Sequence, residues 1–145
     1  MNTLYGPILI VEDNDKNLKL VRDVLRVDGF KTIEAESGAD GIALALAHVP
    51  DVILMDLRLP DMDGAEAARA LGSDTRTASI PVVALSALQL DLHDDWPFAG
   101  YLEKPISVSK LPDQVRRFCA RSGPRPAPWA ASPRPAPRTR RGASR

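Results

Sequence analysis

The run Val52-Ile53-Leu54-Met55-Asp56 constrains this chain more than any other stretch: four apolar residues in a row, then a carboxylate. An unbroken apolar run suits a strand buried on both faces, as in a parallel sheet covered by helices. Asp56 then stands at the strand's carboxyl end, the edge where open α/β sheets bind ligands. Other runs end in the same way. Ile8 to Val11 leads into Glu12 and Asp13, Ile80 to Leu85 leads into Ser86, and the short Tyr101-Leu102-Glu103 leads into Lys104 and Pro105. In a parallel sheet these ends share one edge, which gathers three carboxylates, a hydroxyl and an ammonium.

The segments between these runs have helical period. Leu18, Val21 and Leu25, with Val24, recur at three- and four-residue steps over 14–27, and Gly29 follows where a C-terminal cap glycine belongs. Lys31 to Glu36 reads as a short second strand. Ser37 caps an Ala- and Leu-rich helix over 38–48 that stops at Pro50. Strand 51–55, a loop over 56–63, a helix over 64–72 and a polar loop over 73–79 come next. A strand over 80–85 leads to residues 87–99, where Leu88, Leu90 and Leu92 alternate with polar residues and Pro97 breaks any helix; a short or distorted helix is expected there. A strand over 100–103 precedes a last helix over 108–121, with Ser107 or Ser109 as its N-cap and Pro112 favouring a late start. Strand and helix in alternation predict a doubly wound five-stranded parallel sheet flanked by helices, an α/β domain over residues 1–121.

Charge separates the rest. Residues 1–121 carry 13 Lys and Arg against 19 Asp and Glu, a formal charge of −6, whereas residues 122–145 carry six Arg and no acid. The second segment also holds six Pro, and its one large apolar residue is Trp129. Such a composition buries too little surface to offset ordering entropy, so 122–145 reads as a disordered tail. Its arginines are of the type that meets nucleic acid or an acidic surface; a solubilising extension is the reading taken, with nucleic acid unlikely as a partner. Cys119 is the single cysteine, which excludes an intramolecular disulfide and fits a cytoplasmic setting. No charged region leads into a long apolar run at the start, so no signal peptide is expected, and no run approaches the roughly 18 residues of a membrane span.

Glu12, Asp13 and Asp56 at one edge need a cation, because adjacent unit charges about 4–5 Å apart repel by about 4 kcal/mol at an effective dielectric near 20. Hard oxygen ligands suit Mg²⁺ or Mn²⁺, and no His or Cys lies near these strand ends to favour zinc. A carboxylate at such a site can attack a phosphoryl donor and become an aspartyl phosphate. Lys104 and Ser86 are then placed to meet the charged phosphoryl oxygens. Plainer roles stand beside these. Glu12 and Asp13 can simply favour a helix N-terminus, Ser86 can form a turn, Lys104 can be solvated, and Tyr101 can pack half-buried.

Four pieces, in order, carry a family resemblance: Ile8-Leu9-Ile10-Val11-Glu12-Asp13-Asn14; Ile53-Leu54-Met55-Asp56 with Leu59-Pro60 and Asp63-Gly64; Pro81-Val82-Val83-Ala84-Leu85-Ser86-Ala87; and Lys104-Pro105-Ile106-Ser107. Together they span about residues 7–121, and the chain resembles response-regulator receiver domains of the single-domain DivK and CheY kind. The resemblance implies a two-component phosphorelay switch in which Asp56 accepts phosphate from a phosphohistidine on a sensor histidine kinase or a histidine phosphotransfer protein. It implies Mg²⁺ ligated by Asp13, Asp56 and the backbone carbonyl of Arg58, with Glu12 acting through water. Ser86 and Lys104 would hold phosphoryl oxygens, Ser86 and Tyr101 would form the switch, and the Lys104–Pro105 bond would be cis. It also implies a switch without an output domain of its own that passes its signal by contact or relays the phosphate onward to a histidine phosphotransfer protein.

The span from Ser86 to Lys104 departs from the family by about one helical turn, in a region that normally forms part of the partner surface. The Arg-Pro tail is a second departure. Rival readings are a small Mg²⁺-dependent aspartyl-phosphate phosphatase, a flavin-binding domain, and a pseudo-receiver used only for contacts. A phosphatase would want a substrate-enclosing insert and a second acid two residues after Asp56, where Arg58 stands. A flavin domain would want a less acidic first strand-end loop. A pseudo-receiver would lack the site residues that are present here.

Overall fold

In the computed structural model, residues 6–86 and 97–122 are described, with side chains through Cys119. Strand β1 (Ile8–Val11) is followed by α1 (Asp15–Val27), β2 (Thr32–Ala35), α2 (Gly38–His48), β3 (Val52–Asp56) and α3 (Gly64–Gly72). Then come β4 (Val82–Ser86), β5 (Gly100–Glu103) and α4 (Leu111–Ser122). The strands form one parallel sheet in the order β2-β1-β3-β4-β5. The order reverses between β1 and β3, which opens a crevice outside their carboxyl ends.

Alternation along the strands feeds two separate cores. Ile8, Ile10, Val52, Leu54, Val83 and Leu85 pack with the apolar stripes of α1 and α4. Leu9, Val11, Ile53, Met55, Val82 and Ala84 pack with α2 and α3 on the opposite face. The second layer is built from small residues, and space there is tight. A Cβ on Gly41 would come within 2.8 Å of Val11 Cγ2. Gly29, in a left-handed conformation at φ 96°, ends α1 as its sequence position predicts.

Five elements differ in their boundaries from the sequence reading: α1 begins at Asp15 and not at 14, β2 is Thr32–Ala35 and not 31–36, and β3, β4 and α4 shift as well. β3 includes Asp56, which pairs in register with Leu85, so the carboxylate is the last strand residue and not the first loop residue. β4 begins at Val82 because Pro81 has no N–H to give the ladder, and it continues through Ser86, which pairs with Glu103. The last helix starts at Leu111, three residues later than the earliest start the pattern allowed, with Pro112 in its first turn. The Ser107 carbonyl accepts from the Lys110 and Leu111 N–H groups, and both Ser107 and Ser109 lie ahead of the helix start. Residues 97–99 lead irregularly into β5, where the Ala99 N–H donates to the Val82 carbonyl at 2.8 Å. The expected helix over 87–99 lies otherwise outside the described residues, as do Leu88, His93 and the tail from 123 on. Among the described residues no helix is long and apolar enough to cross a membrane.

Candidate functional site

The carboxyl ends of β1, β3 and β4 and the start of the β5–α4 connection line an open cavity of about 570 Å³. Each strand delivers one polar group there because its apolar run has just ended. Glu12 follows β1 and is 1% exposed, Asp56 closes β3 at 8%, and Ser86 closes β4 at 5%. Asp13, one residue after Glu12, is exposed at the rim. One carboxylate oxygen from each of Glu12, Asp13 and Asp56 lies within 4.8 Å of the others.

Lys104 reaches across from the end of β5. Its Nζ donates to Glu12 Oε1 at 2.8 Å and lies 3.5 Å from Asp56 Oδ1. The β4 ladder fixes its backbone, since the Lys104 N–H donates to the Ser86 carbonyl at 2.7 Å. The Lys104–Pro105 peptide is cis. Burial pushes the Glu12 carboxyl above its ordinary range; the Lys104 ammonium opposes this, and the neighbouring Asp56 adds to it. One ammonium against three carboxylates leaves an excess of two negative charges when all are ionised.

Asp56 is supported by its own loop. The Arg58 N–H approaches Asp56 Oδ1 at 3.4 Å, and Arg58 bridges to Asp63 as the loop turns back. Gly64 is required by this return. A Cβ there would lie 2.9 Å from Leu57 Cα and closer still to the Asp56 carbonyl oxygen. Asp63 and Glu66 form a capping box on α3, which holds the far end of the loop. Tyr101 on β5 pairs in register with Ala84, two residues before Ser86, and packs half-buried against the core on the α2–α3 face.

Three contributors went unseen in the sequence. Asn14 caps α1 through its side chain, which accepts from the Lys16 and Asn17 N–H groups, while its own N–H donates to Glu12 Oε2 at 3.2 Å. Asn17, one helical turn further on, lines the cavity. Asp61 accepts from the Gly38 and Ala39 N–H groups at 2.8 and 2.9 Å, joining the acceptor loop to the N-terminus of α2. The Asn14 cap had a local signal, a cap-type residue one position before a helical pattern. Asp61 had none, because its partners lie 22 and 23 residues away.

Residues 8–116 match the response regulator receiver domain family. The chain belongs to that family. Over 115 residues it is 36% identical to the polar-differentiation response regulator DivK of Brucella ovis, covering 77% of this chain and 94% of that protein. DivK of Brucella anthropi matches at the same identity and coverage. Among solved structures, the receiver domain of sensor histidine kinase PA1611 from Pseudomonas aeruginosa PAO1, with a magnesium ion in its active site cleft, is 29% identical. It superposes with a TM-score of 0.72 over 80% of this chain and 98% of that one. A CheY-like receiver domain from Methylobacillus flagellatus is 28% identical, with a TM-score of 0.71 over 79% and 98% of the two chains. This receiver thus has the five parallel strands of its relatives and takes its place in two-component signalling.

The donor set fits a hard divalent cation. All three candidate side chains are carboxylates, their oxygens converge within 4.8 Å, and the charge excess of two matches M²⁺.

Proposed function

We propose that this receiver is a phosphorylation switch whose acceptor is Asp56. The observation that carries the reading is the position of the Asp56 carboxylate: nearly buried at the cavity floor, within 4.8 Å of two other carboxylates and 3.5 Å from the Lys104 ammonium. The donor is a phosphohistidine on a sensor histidine kinase or a histidine phosphotransfer protein. An Asp56 oxygen attacks phosphorus; the new P–O bond forms as the P–N bond breaks, and that bond's electron pair stays on the imidazole. Asp13, Asp56 and the Arg58 carbonyl would hold Mg²⁺ or Mn²⁺, with Glu12 acting through water. When bound, the cation supplies positive charge to the phosphoryl oxygens and offsets the repulsion among the carboxylates.

Lys104 takes one phosphoryl oxygen and Ser86 another. Lys104 now sits nearer Glu12 than Asp56, so charge placed on Asp56 draws it away from its resting partner. Movement of Ser86 toward the phosphate, transmitted along β4 to Tyr101 on β5, biases two packings of this end of the sheet and changes which proteins bind. Within this reading the domain spans residues 1–121, acts in the cytoplasm and turns over no external substrate. The relatedness to DivK and to a Mg²⁺-bearing receiver supports it. Beryllofluoride with Mg²⁺ tests the site without any partner. Binding to the wild type and not to Asp56→Asn is expected, with chemical shift changes at Ser86, Tyr101 and Lys104. A site that binds neither beryllofluoride nor phosphate would leave the domain a contact module.

A further inference from the structure

Asn17 stands where the amphipathic pattern of α1 has room for an apolar residue. It comes four residues before Val21 and seven before Val24, so it shares their side of the helix, on the flank of the stripe that packs on the sheet. Its backbone N–H donates to the Asn14 side chain at 3.0 Å, but among the described residues its own carboxamide has no hydrogen-bond partner. That carboxamide lines the acceptor cavity instead.

Depth orders the walls of the cavity. Glu12, Asp56 and Ser86 are buried and form its floor, whereas Asp13, Asn14 and Arg58 are exposed at its rim. Asn17 is half-buried, between the two levels. Its neighbours have tasks already: Lys104 is held by Glu12, and the Asn14 side chain caps α1. A carboxamide offers two N–H donors and an acceptor oxygen, enough to orient one water molecule.

We propose that Asn17 positions the water that hydrolyses the aspartyl phosphate, and so sets how long the signal lasts. The proposal rests on the reading of Asp56 as the phosphoacceptor. In-line displacement places the incoming and departing oxygens on opposite sides of phosphorus. Asp56 is at the floor, so the incoming side faces the mouth of the cavity, where Asn17 stands above the floor. The water oxygen bonds to phosphorus as the bond from phosphorus to the Asp56 oxygen breaks. The electron pair of that bond returns to the Asp56 carboxylate, and both water protons leave with the phosphate. Asn17 gives and takes no proton. It is a positioning residue, and it acts by holding the water in the attacking orientation.

The rate of phosphate loss tests this, in wild type, Asn17→Ala and Asn17→Leu. Each protein is charged with acetyl phosphate and Mg²⁺, freed of donor by desalting and followed by intact mass. Alanine is smaller than asparagine and leucine is larger, so a plug against bulk water and an anchor for one water give different patterns. Both variants should lose phosphate about fivefold more slowly than wild type, the effect of one ordinary hydrogen bond. Asn17→Gln keeps the carboxamide and should lie nearer to wild type. Asn17→Leu extends the apolar stripe and should unfold at no lower temperature than wild type, which separates a slower decay from damage to the fold. Wild-type decay in both Asn17→Ala and Asn17→Leu would overturn the proposal. So would faster decay in Asn17→Ala with slower decay in Asn17→Leu, which would make residue 17 a plug. Wild type that takes up no phosphate would sink the acceptor reading itself, and this proposal with it.

Discussion

Leu54 and Asp56 lie two residues apart on β3, and both are buried. Leu54 is surrounded by Ile8, Ile10, Val83 and Leu85 and contributes only to holding the sheet against α1 and α4. Asp56 has comparable burial but faces two carboxylates and an ammonium at the open crevice. The strand interior satisfies every side chain with apolar neighbours. The strand end collects three carboxylates whose mutual repulsion the single Lys104 ammonium only partly offsets. One element thus supplies both rigidity and an unsatisfied site, and the change occurs at the residue where the ladder ends.

Substitutions on either side of that boundary should behave oppositely. Leu54→Ala should have the largest effect on stability, about 2–5 kcal/mol in urea unfolding, from lost burial and the cavity left behind. Under conditions where it remains folded it should still take up phosphate. Equal loss of stability in Asp56→Asn would erase the distinction. Lys104→Met should come next, because it leaves the buried Glu12 carboxylate without its 2.8 Å partner; about 1–3 kcal/mol is expected.

Glu12→Gln sharpens the comparison by changing sign. Burial disfavours the ionised Glu12, so the metal-free variant should be no less stable than wild type at neutral pH, whereas the rise in Tm on adding Mg²⁺ should shrink. A large destabilisation without metal would mean the Glu12–Lys104 pair is structural. Ser86→Ala combined with Tyr101→Ala should leave phosphorylation of Asp56 in place and uncouple it from partner binding, read by pull-down with and without beryllofluoride; unchanged coupling would contradict the switch assignment.

The smallest effect belongs to Asp61, an exposed residue. Asp61→Ala should speed hydrogen exchange at Gly38 and Ala39 several-fold and leave the β3 amides unchanged. The Ala39 and Gly38 N–H groups hold the Asp61 carboxyl below its ordinary range. The contribution of this tie is therefore present above the ordinary carboxylate range and lost as pH falls through the depressed value. Exchange at these two amides that ignores acidification would break the assignment.

Much of this was legible from local pattern. Apolar runs ending on Glu12, Asp56 and Ser86 mark where strands stop, and a parallel sheet leaves those ends on one edge. The alternation of strand and helix therefore carries the fold and most of the site together. Boundaries shifted where a single backbone group decides. Pro81 cannot donate, Pro112 sets the first turn of α4, and Asp56 is in the ladder because Leu85 pairs with it. Asp61 escaped because its role depends on bringing two loops together from distant parts of the chain. The preference of Lys104 for Glu12 over Asp56 is likewise a matter of angstroms that spacing does not encode.

The most direct measurement is the intact mass of the protein after incubation with Mg²⁺ and acetyl phosphate, with Asp56→Asn and an EDTA control in parallel. A single phosphoryl adduct on wild type alone, labile to base and absent in EDTA, is the result predicted. An adduct that persists in Asp56→Asn, or wild type that takes up neither phosphate nor beryllofluoride, would contradict the assignment of Asp56 as the acceptor.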